Sequence, residues 1–210
     1  MFVLPALPYP YDALAPTVSD ATLHVHHDKH HAKYVETVNQ LVHKAGLGAS
    51  SLEAVIRQAK ASGDKKLFNN AGQAWNHGFF WLCMTPDRGE PEVELAQAIN
   101  RDFGGMGKLR ETFVTEGVGH FGSGWVWLVS HEGALKVFST HDADTSIAVE
   151  GCRPLLVCDL WEHAYYLDYK NDRKAFLEAW FDKVADWRFA SRQLSAREPW
   201  AYPERVAESA

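Results

Sequence analysis

Apolar residues recur at helical spacing through the first part of the chain. Val35, Val38, Leu41 and Val42 keep a step of three to four, which predicts a long helix from about Asp20 to Lys44. Ser19 or Asp20 would cap its start and Gly46 close it. A second helix opens at "SSLE", where Ser50 and Glu53 have capping-box spacing. A third covers roughly Lys66 to Met84 and stops before Pro86. Residues 1–18 carry four prolines, so they read as an ordered but irregular arm whose Leu, Tyr and Phe side chains lie on a surface. "PDRGEPE" is the clearest break in composition. Two more helices follow, about 91–103 and 107–119, the first with Pro91 at its start. The period then changes: "WVWLVS" and "ALKVFST" flank "HEG" as a β-hairpin, and "PLLVCD" is a third short strand. Helix returns from about Leu160, and "SAREPWAYPERVAESA" reads as a polar, proline-bearing tail. The fold class is therefore α+β: a helical N-terminal domain over 1–86, an α+β domain with a small antiparallel sheet over 87–194, and an extension over 195–210.

Composition narrows the partners. The 210 residues are 46% hydrophobic and 23% charged, ordinary globular material with enough length for a substantial core. Net charge is -6, which argues against nucleic acid, since phosphate binding needs a basic field. No apolar run approaches the ~20 residues of a membrane span, so no membrane partner is expected. The N-terminal segment lacks a basic start and does not read as a signal peptide. Cys83, Cys152 and Cys158 show no C-x-x-C spacing, which disfavours a disulfide framework or a thiolate zinc site and fits a reducing, cytoplasmic location.

Three segments carry candidate chemistry. "TLHVHHDKHHAKY" holds five of the eleven histidines. On a regular helix His26, His30 and Tyr34 form one stripe, and His27 and His31 a neighbouring one. Only one imidazole per turn can then aim at a single point, and a solvated or partly buried face is the simpler reading of this segment alone. In "NNAGQAWNHGFFW", Asn70, Gln73 and His77 share a face with Phe80 and Trp81. An amide inside an apolar face must find partners or cost ~1–3 kcal/mol, so Gln73 points to a polar network. In "VCDLWEHAYY", Asp159 ends an apolar strand and His163 follows four residues later, so a strand-to-helix turn could aim both inward. Asp at a strand end also serves as a helix cap. Together the segments offer three histidines and one carboxylate, a donor set suited to iron, manganese or zinc. H-E-x-x-H and E-x-x-H are both absent, which removes a zinc peptidase and a ferritin-like di-iron centre. A mononuclear redox-metal site assembled between the two halves remains.

"HHDKHHAKY", "FNNAGQAWNH", "FGSGWVWL" and "DLWEHAYY" together resemble the iron/manganese superoxide dismutases, in family order and over nearly the whole chain. The resemblance implies a helical hairpin domain followed by an α+β domain. It implies disproportionation of superoxide to oxygen and hydrogen peroxide. The metal ligands would be His26, His77, Asp159 and His163, with solvent as a fifth ligand. His30 and Tyr34 would form a gateway for substrate and protons, and Trp125 and Trp161 would wall the site. His27 and His31 would line the channel or support packing, while His24 has no assigned role. A homodimer is implied, with Glu162 reaching His163 of the partner subunit and Tyr166 reaching His30 of the partner subunit; a tetramer is equally compatible.

The resemblance also bears on the metal. Iron members usually supply a solvent-binding Gln from the helix of the second His ligand, and manganese members from the loop after the hairpin. Here the helix has Gln73 and the loop has Ala143, which implies iron, one ion per subunit, with manganese or dual-metal use as the alternative. Gln73 would link the bound solvent to Tyr34. Lys29 and Arg173 are the candidate cations for steering an anion, and His141 in the loop has no assigned role. Two rival readings are a non-catalytic metal-binding or storage protein using the same site, and a structural interaction protein with a histidine-rich helix.

Overall fold

The computed structural model describes residues 1–48 and 51–203. The N-terminal arm lies irregularly on the helices behind it. The Phe2 N–H donates to Asn39 Oδ1 (2.9 Å), the Tyr9 hydroxyl donates to the Trp81 carbonyl (3.2 Å), and Leu14 and Val18 are buried.

The first long helix is continuous but not uniform. It runs as α1 (Asp20–Val25), a π-helical segment (His26–His31) and α2 (Ala32–Lys44). Ser19 caps it, its Oγ accepting from the Thr22 N–H at 3.1 Å, and Gly46 leaves the last turn at φ +61°. The two histidine stripes persist through the π segment, His26 beside His30 and His27 beside His31, with ring centroids 6.4 and 6.0 Å apart. His26, His27 and His31 are all buried within it.

Next come α3 (Leu52–Ser62) and α4 (Lys65–Leu82), and α4 packs against both α2 and α3. The expected capping residue Ser50 lies outside the described residues; Ser51 takes the cap, accepting from the Ala54 N–H at 3.1 Å. Glu53 therefore does not close a capping box. Its carboxylate accepts from Trp75 Nε1 and from the Tyr202 N–H, each at 2.7 Å.

Beyond the break, α5 (Val93–Phe103) and α6 (Met106–Gly119) lead to the sheet. Glu92 holds the N-cap position of α5, so Pro91 precedes the helix rather than opening it. Strands β1 (Gly124–His131), β2 (Ala134–His141) and β3 (Cys152–Asp159) form an antiparallel sheet in the order β2-β1-β3. Glu132 (φ 53°) and Gly133 (φ 81°) make the two-residue turn, both in the left-handed region that a tight hairpin requires. The β1/β3 register sets Trp125 directly opposite Asp159.

After Leu160 the chain does not form one helix. A 3₁₀ turn (Glu162–Ala164), α7 (Tyr166–Tyr169), α8 (Arg173–Ala179), a second π segment (Trp180–Val184) and α9 (Trp187–Ser195) follow in short pieces. The two halves are stitched where the Thr85 N–H meets the Val184 carbonyl and the Asp186 N–H meets the Cys83 carbonyl, each at 2.8 Å. Six tryptophans, among them Trp75, Trp81, Trp125 and Trp180, are wholly buried and fill the space between helices and sheet. The tail is not a loose polar extension: Tyr202 is buried and Trp200 packs on Trp75 and Phe79. Among the described residues no helix is long and apolar enough to cross a membrane.

Candidate metal centre

Three elements and one turn converge at the junction of the two halves. His26 opens the π segment, His77 lies inside α4, Asp159 is the last residue of β3, and His163 sits in the 3₁₀ turn just after it. One donor atom from each lies within 4.8 Å of the other three. Asp159 Oδ2 is the hub: it is 3.0 Å from His26 Nε2, 3.2 Å from His163 Nε2 and 3.7 Å from His77 Nε2. Its other oxygen, Oδ1, accepts from the Trp161 N–H at 2.8 Å, which fixes the carboxylate plane and leaves Oδ2 free to face the imidazoles.

The donor atoms are in the form a cation needs. His77 Nδ1 lies 2.7 Å from the Gln73 carbonyl and donates to it, so Nε2 carries the free lone pair. His26 Nε2 and His77 Nε2 are buried without a hydrogen-bond partner. Two orphaned lone pairs beside a buried carboxylate are costly alone and are satisfied by a metal ion. Electrostatics agree. Burial pushes His26 down to about 4 and His77 well below its ordinary value, so both are neutral ligands. Burial alone would raise the Asp159 carboxyl, but His163 and His26 together outweigh it and hold the group below the usual carboxylate range.

Aromatic and amide groups enclose the cluster. The Trp125 ring stands edge-on to His77 (centroids 4.9 Å apart), and its Nε1 donates to Gln73 Oε1 at 3.0 Å. Gln73 Nε2 donates to the Tyr34 hydroxyl at 3.4 Å, so the amide inside the apolar face has partners on both sides. Trp161 stacks on His163 (5.6 Å) and donates to the Asp142 carbonyl (3.1 Å). His30 stacks on His163 at 4.2 Å. A cavity of ≈ 260 Å³ is lined by Tyr34, Gln73 and Trp161 of this enclosure together with Asn69, Asn70, Asp142 and Ala143. Ala143 is held close: a Cβ on Gly72 would meet its carbonyl oxygen at 2.5 Å, so Gly72 is required for the loop to approach α4. A larger cavity of ≈ 570 Å³ beside Met1, Phe2 and His43 touches none of these residues.

The remaining histidines divide by role. His24 stacks on Tyr11 at 3.9 Å and pairs with Asp28, a packing role that helical spacing did not disclose. His27 Nε2 lies 2.8 Å from the Pro5 carbonyl and ties down the arm. His31 is buried against Trp81. His141 is paired with His120 (3.4 Å) on the exposed side of the hairpin, outside the metal cluster. The Arg173 guanidinium is held in place by donating to the carbonyls of His120 and Gly122 at 2.7 Å each, and Lys29 is exposed on the π segment.

A His3Asp cluster between a helical pair and a three-stranded α+β domain defines a mononuclear metalloprotein. Residues 1–85 match the iron/manganese superoxide dismutase alpha-hairpin domain, and residues 91–193 match the C-terminal domain of the same family. The chain is 46% identical over 193 residues to an iron superoxide dismutase of Entamoeba histolytica, covering 92% of this chain and 99% of that one. It is 47% identical over 195 residues to that of Legionella pneumophila, covering 92% and 98%, and 47% over 201 residues to that of Synechococcus elongatus, covering 93% and 98%. The chain belongs to the iron/manganese superoxide dismutase family.

The low affinity of His26 for protons has a consequence for the metal-free protein. His26 takes a proton near 4 in the fold but near 6.5 in an unfolded chain, so between those values the unfolded state binds more protons and stability falls as pH falls. The loss from this group alone is on the order of 3 kcal/mol across that window. Urea midpoints of the metal-free protein between pH 7 and 4 measure it, and His26→Gln should flatten the slope. Equal slopes in the two proteins would show that His26 is solvated in the fold.

Proposed function

We infer that the protein is a superoxide dismutase working with one iron ion per chain. The observation that carries this is the buried donor set of His26, His77, Asp159 and His163 with its two orphaned imidazole nitrogens. These four residues would hold the ion. They would give the site one-electron redox chemistry through the ion, by which one superoxide could be oxidised to oxygen and a second reduced. Overall, two superoxide ions and two protons would give one oxygen and one hydrogen peroxide.

The chain's own residues handle the protons and the dielectric. Burial pushes the Tyr34 phenol above its ordinary value, so it keeps its proton at neutral pH. Its oxygen accepts from Gln73, so its own hydrogen is free to point into the cavity toward solvent or peroxide. Gln73 is itself oriented by Trp125, which fixes which end of the amide faces Tyr34. Burial lowers His30, leaving a neutral imidazole stacked against His163. Trp125 and Trp161 keep bulk water from the ligands, so each hydrogen bond acts in a medium of low dielectric. Iron rather than manganese is supported by the amide of Gln73 rising from α4, with Ala143 at the loop position facing it, and by the iron enzymes among the relatives.

The active unit is a homodimer in this reading. The turn that holds His163 also carries exposed Glu162, and Tyr166 and Leu167 follow it as exposed apolar surface that a second copy would cover. Glu162 would then reach His163 of the partner subunit, and Tyr166 would reach His30 of the partner subunit. Three free cysteines fit a cytoplasmic location.

The iron-reconstituted protein should disproportionate superoxide, and the manganese-reconstituted form should be much less active. Metal uptake without activity in either form would make it a storage protein. Gln73→Glu should leave iron bound while lowering activity and shifting the midpoint potential. It replaces the amide donor to Tyr34 with a carboxyl group between Tyr34 and Trp125; loss of the metal instead would give Gln73 a structural role. Sedimentation of the iron-loaded protein should give two chains per particle, and a single chain would remove the cross-subunit contacts.

A further inference from the structure

His31 is the one buried histidine of the π segment that neither binds the metal nor touches the arm, and its hydrogen bonds can be assigned completely. Trp81 Nε1 can only donate, and it meets His31 Nδ1 at 2.9 Å. Nδ1 is therefore the acceptor and Nε2 carries the hydrogen. Nε2 faces two oxygens, the Ala74 carbonyl at 3.0 Å and the Tyr202 hydroxyl at 3.1 Å. The Tyr202 hydroxyl sends its own hydrogen to the Val3 carbonyl at 2.9 Å. One directed chain thus runs from Trp81 through His31 and Tyr202 to the N-terminal arm.

Two members of that chain, His31 and Trp81, lie against metal ligands. The His31 ring lies nearly parallel to His77, 20° apart with centroids at 5.4 Å. Trp81 stands edge-on to His26 with centroids at 4.8 Å. Tyr202 belongs to the segment beyond residue 193, where the family similarity stops. The fold makes room for it. A Cβ on Gly78, next to the ligand His77, would meet the Tyr202 ring at 2.7 Å, so glycine is needed for the ring to lie on α4. Glu53 holds the backbone of the same residue, accepting from its N–H at 2.7 Å.

We propose that Tyr202 is a positioning residue for the metal centre: its hydroxyl fixes the orientation of His31 and, through His31 and Trp81, the rings of His77 and His26. The C-terminal segment is then a strap that stiffens the centre from behind, on the side away from the substrate cavity. The proposal rests on the metal-site reading above. Without the hydroxyl, His31 keeps only the Ala74 carbonyl as acceptor and the Val3 carbonyl loses its donor. The His31 ring is then free to tilt against His77.

The test compares iron-loaded wild type with Tyr202→Phe and with a chain ending at residue 199. Tyr202→Phe keeps the ring on Gly78 and removes the hydroxyl alone. It should change the ferric EPR line shape and speed iron release to a chelator by about tenfold, the lower end for outer groups around a metal site. The truncated chain should show the same changes, larger. A role in packing alone would leave the spectrum of Tyr202→Phe as in wild type, so an unaltered spectrum and release rate in that variant overturn the proposal, even if truncation weakens the protein. Wild-type protein that takes up no iron or manganese would instead remove the reading of the site on which the proposal stands.

Discussion

Asp159 is a carboxylate with no solvent exposure at all, placed at the end of a buried strand. An unpaired charge there would cost several kcal/mol. Among the described residues no Lys or Arg pairs with it. Its oxygen Oδ2 faces three imidazole nitrogens instead, two of them without any other partner. A cation held by the carboxylate and the imidazole lone pairs would satisfy all four groups at once. That requirement organises the surrounding structure: the sheet carries the anion in, the two long helices bring His26 and His77 to it, and the turn after β3 folds back to add His163.

The elements hold these groups by different means. The β1/β3 register places Trp125 across from Asp159, so one pair in the ladder fixes both a ligand and a wall. The π segment gives up regular helical bonding and in return buries three histidines within six residues. α4 supplies His77, the carbonyl that orients it, and Gln73, all within one turn of helix. A shift of α4 would therefore move ligand, tautomer and proton path together. The stitching between Cys83 and Val184–Asp186 ties the end of that helix to the C-terminal half.

Much of this was legible in the residues. Hydrophobic period separated the helical half from the α+β half and found all three strands. The ligand set followed from the family resemblance, whose motifs place His26, His77 and the pair Asp159 and His163 in three of four ordered segments. What period could not show was any departure from regular geometry. Nothing in "HHDKHH" distinguishes a π turn from an α turn, because the difference lies in which carbonyl each N–H selects. Nor does sequence show the carbonyls of His120 and Gly122 that hold the Arg173 guanidinium in place. The tail was misjudged for another reason. Its prolines and charges suggested solvent, yet "PWAYP" holds two large aromatics that have to be buried somewhere. Gly78 was the matching signal on α4, an open patch of helix surface that a ring could occupy.

The claim underneath all of this is that four side chains, distant along the chain, share one transition-metal ion. Anomalous diffraction at the iron edge from crystals of the iron-loaded protein tests it most directly. A single peak per chain, within bonding distance of His26 Nε2, His77 Nε2, Asp159 Oδ2 and His163 Nε2, is the expected result. A peak at any other group of residues, or none at this cluster in protein that carries stoichiometric iron, would contradict it.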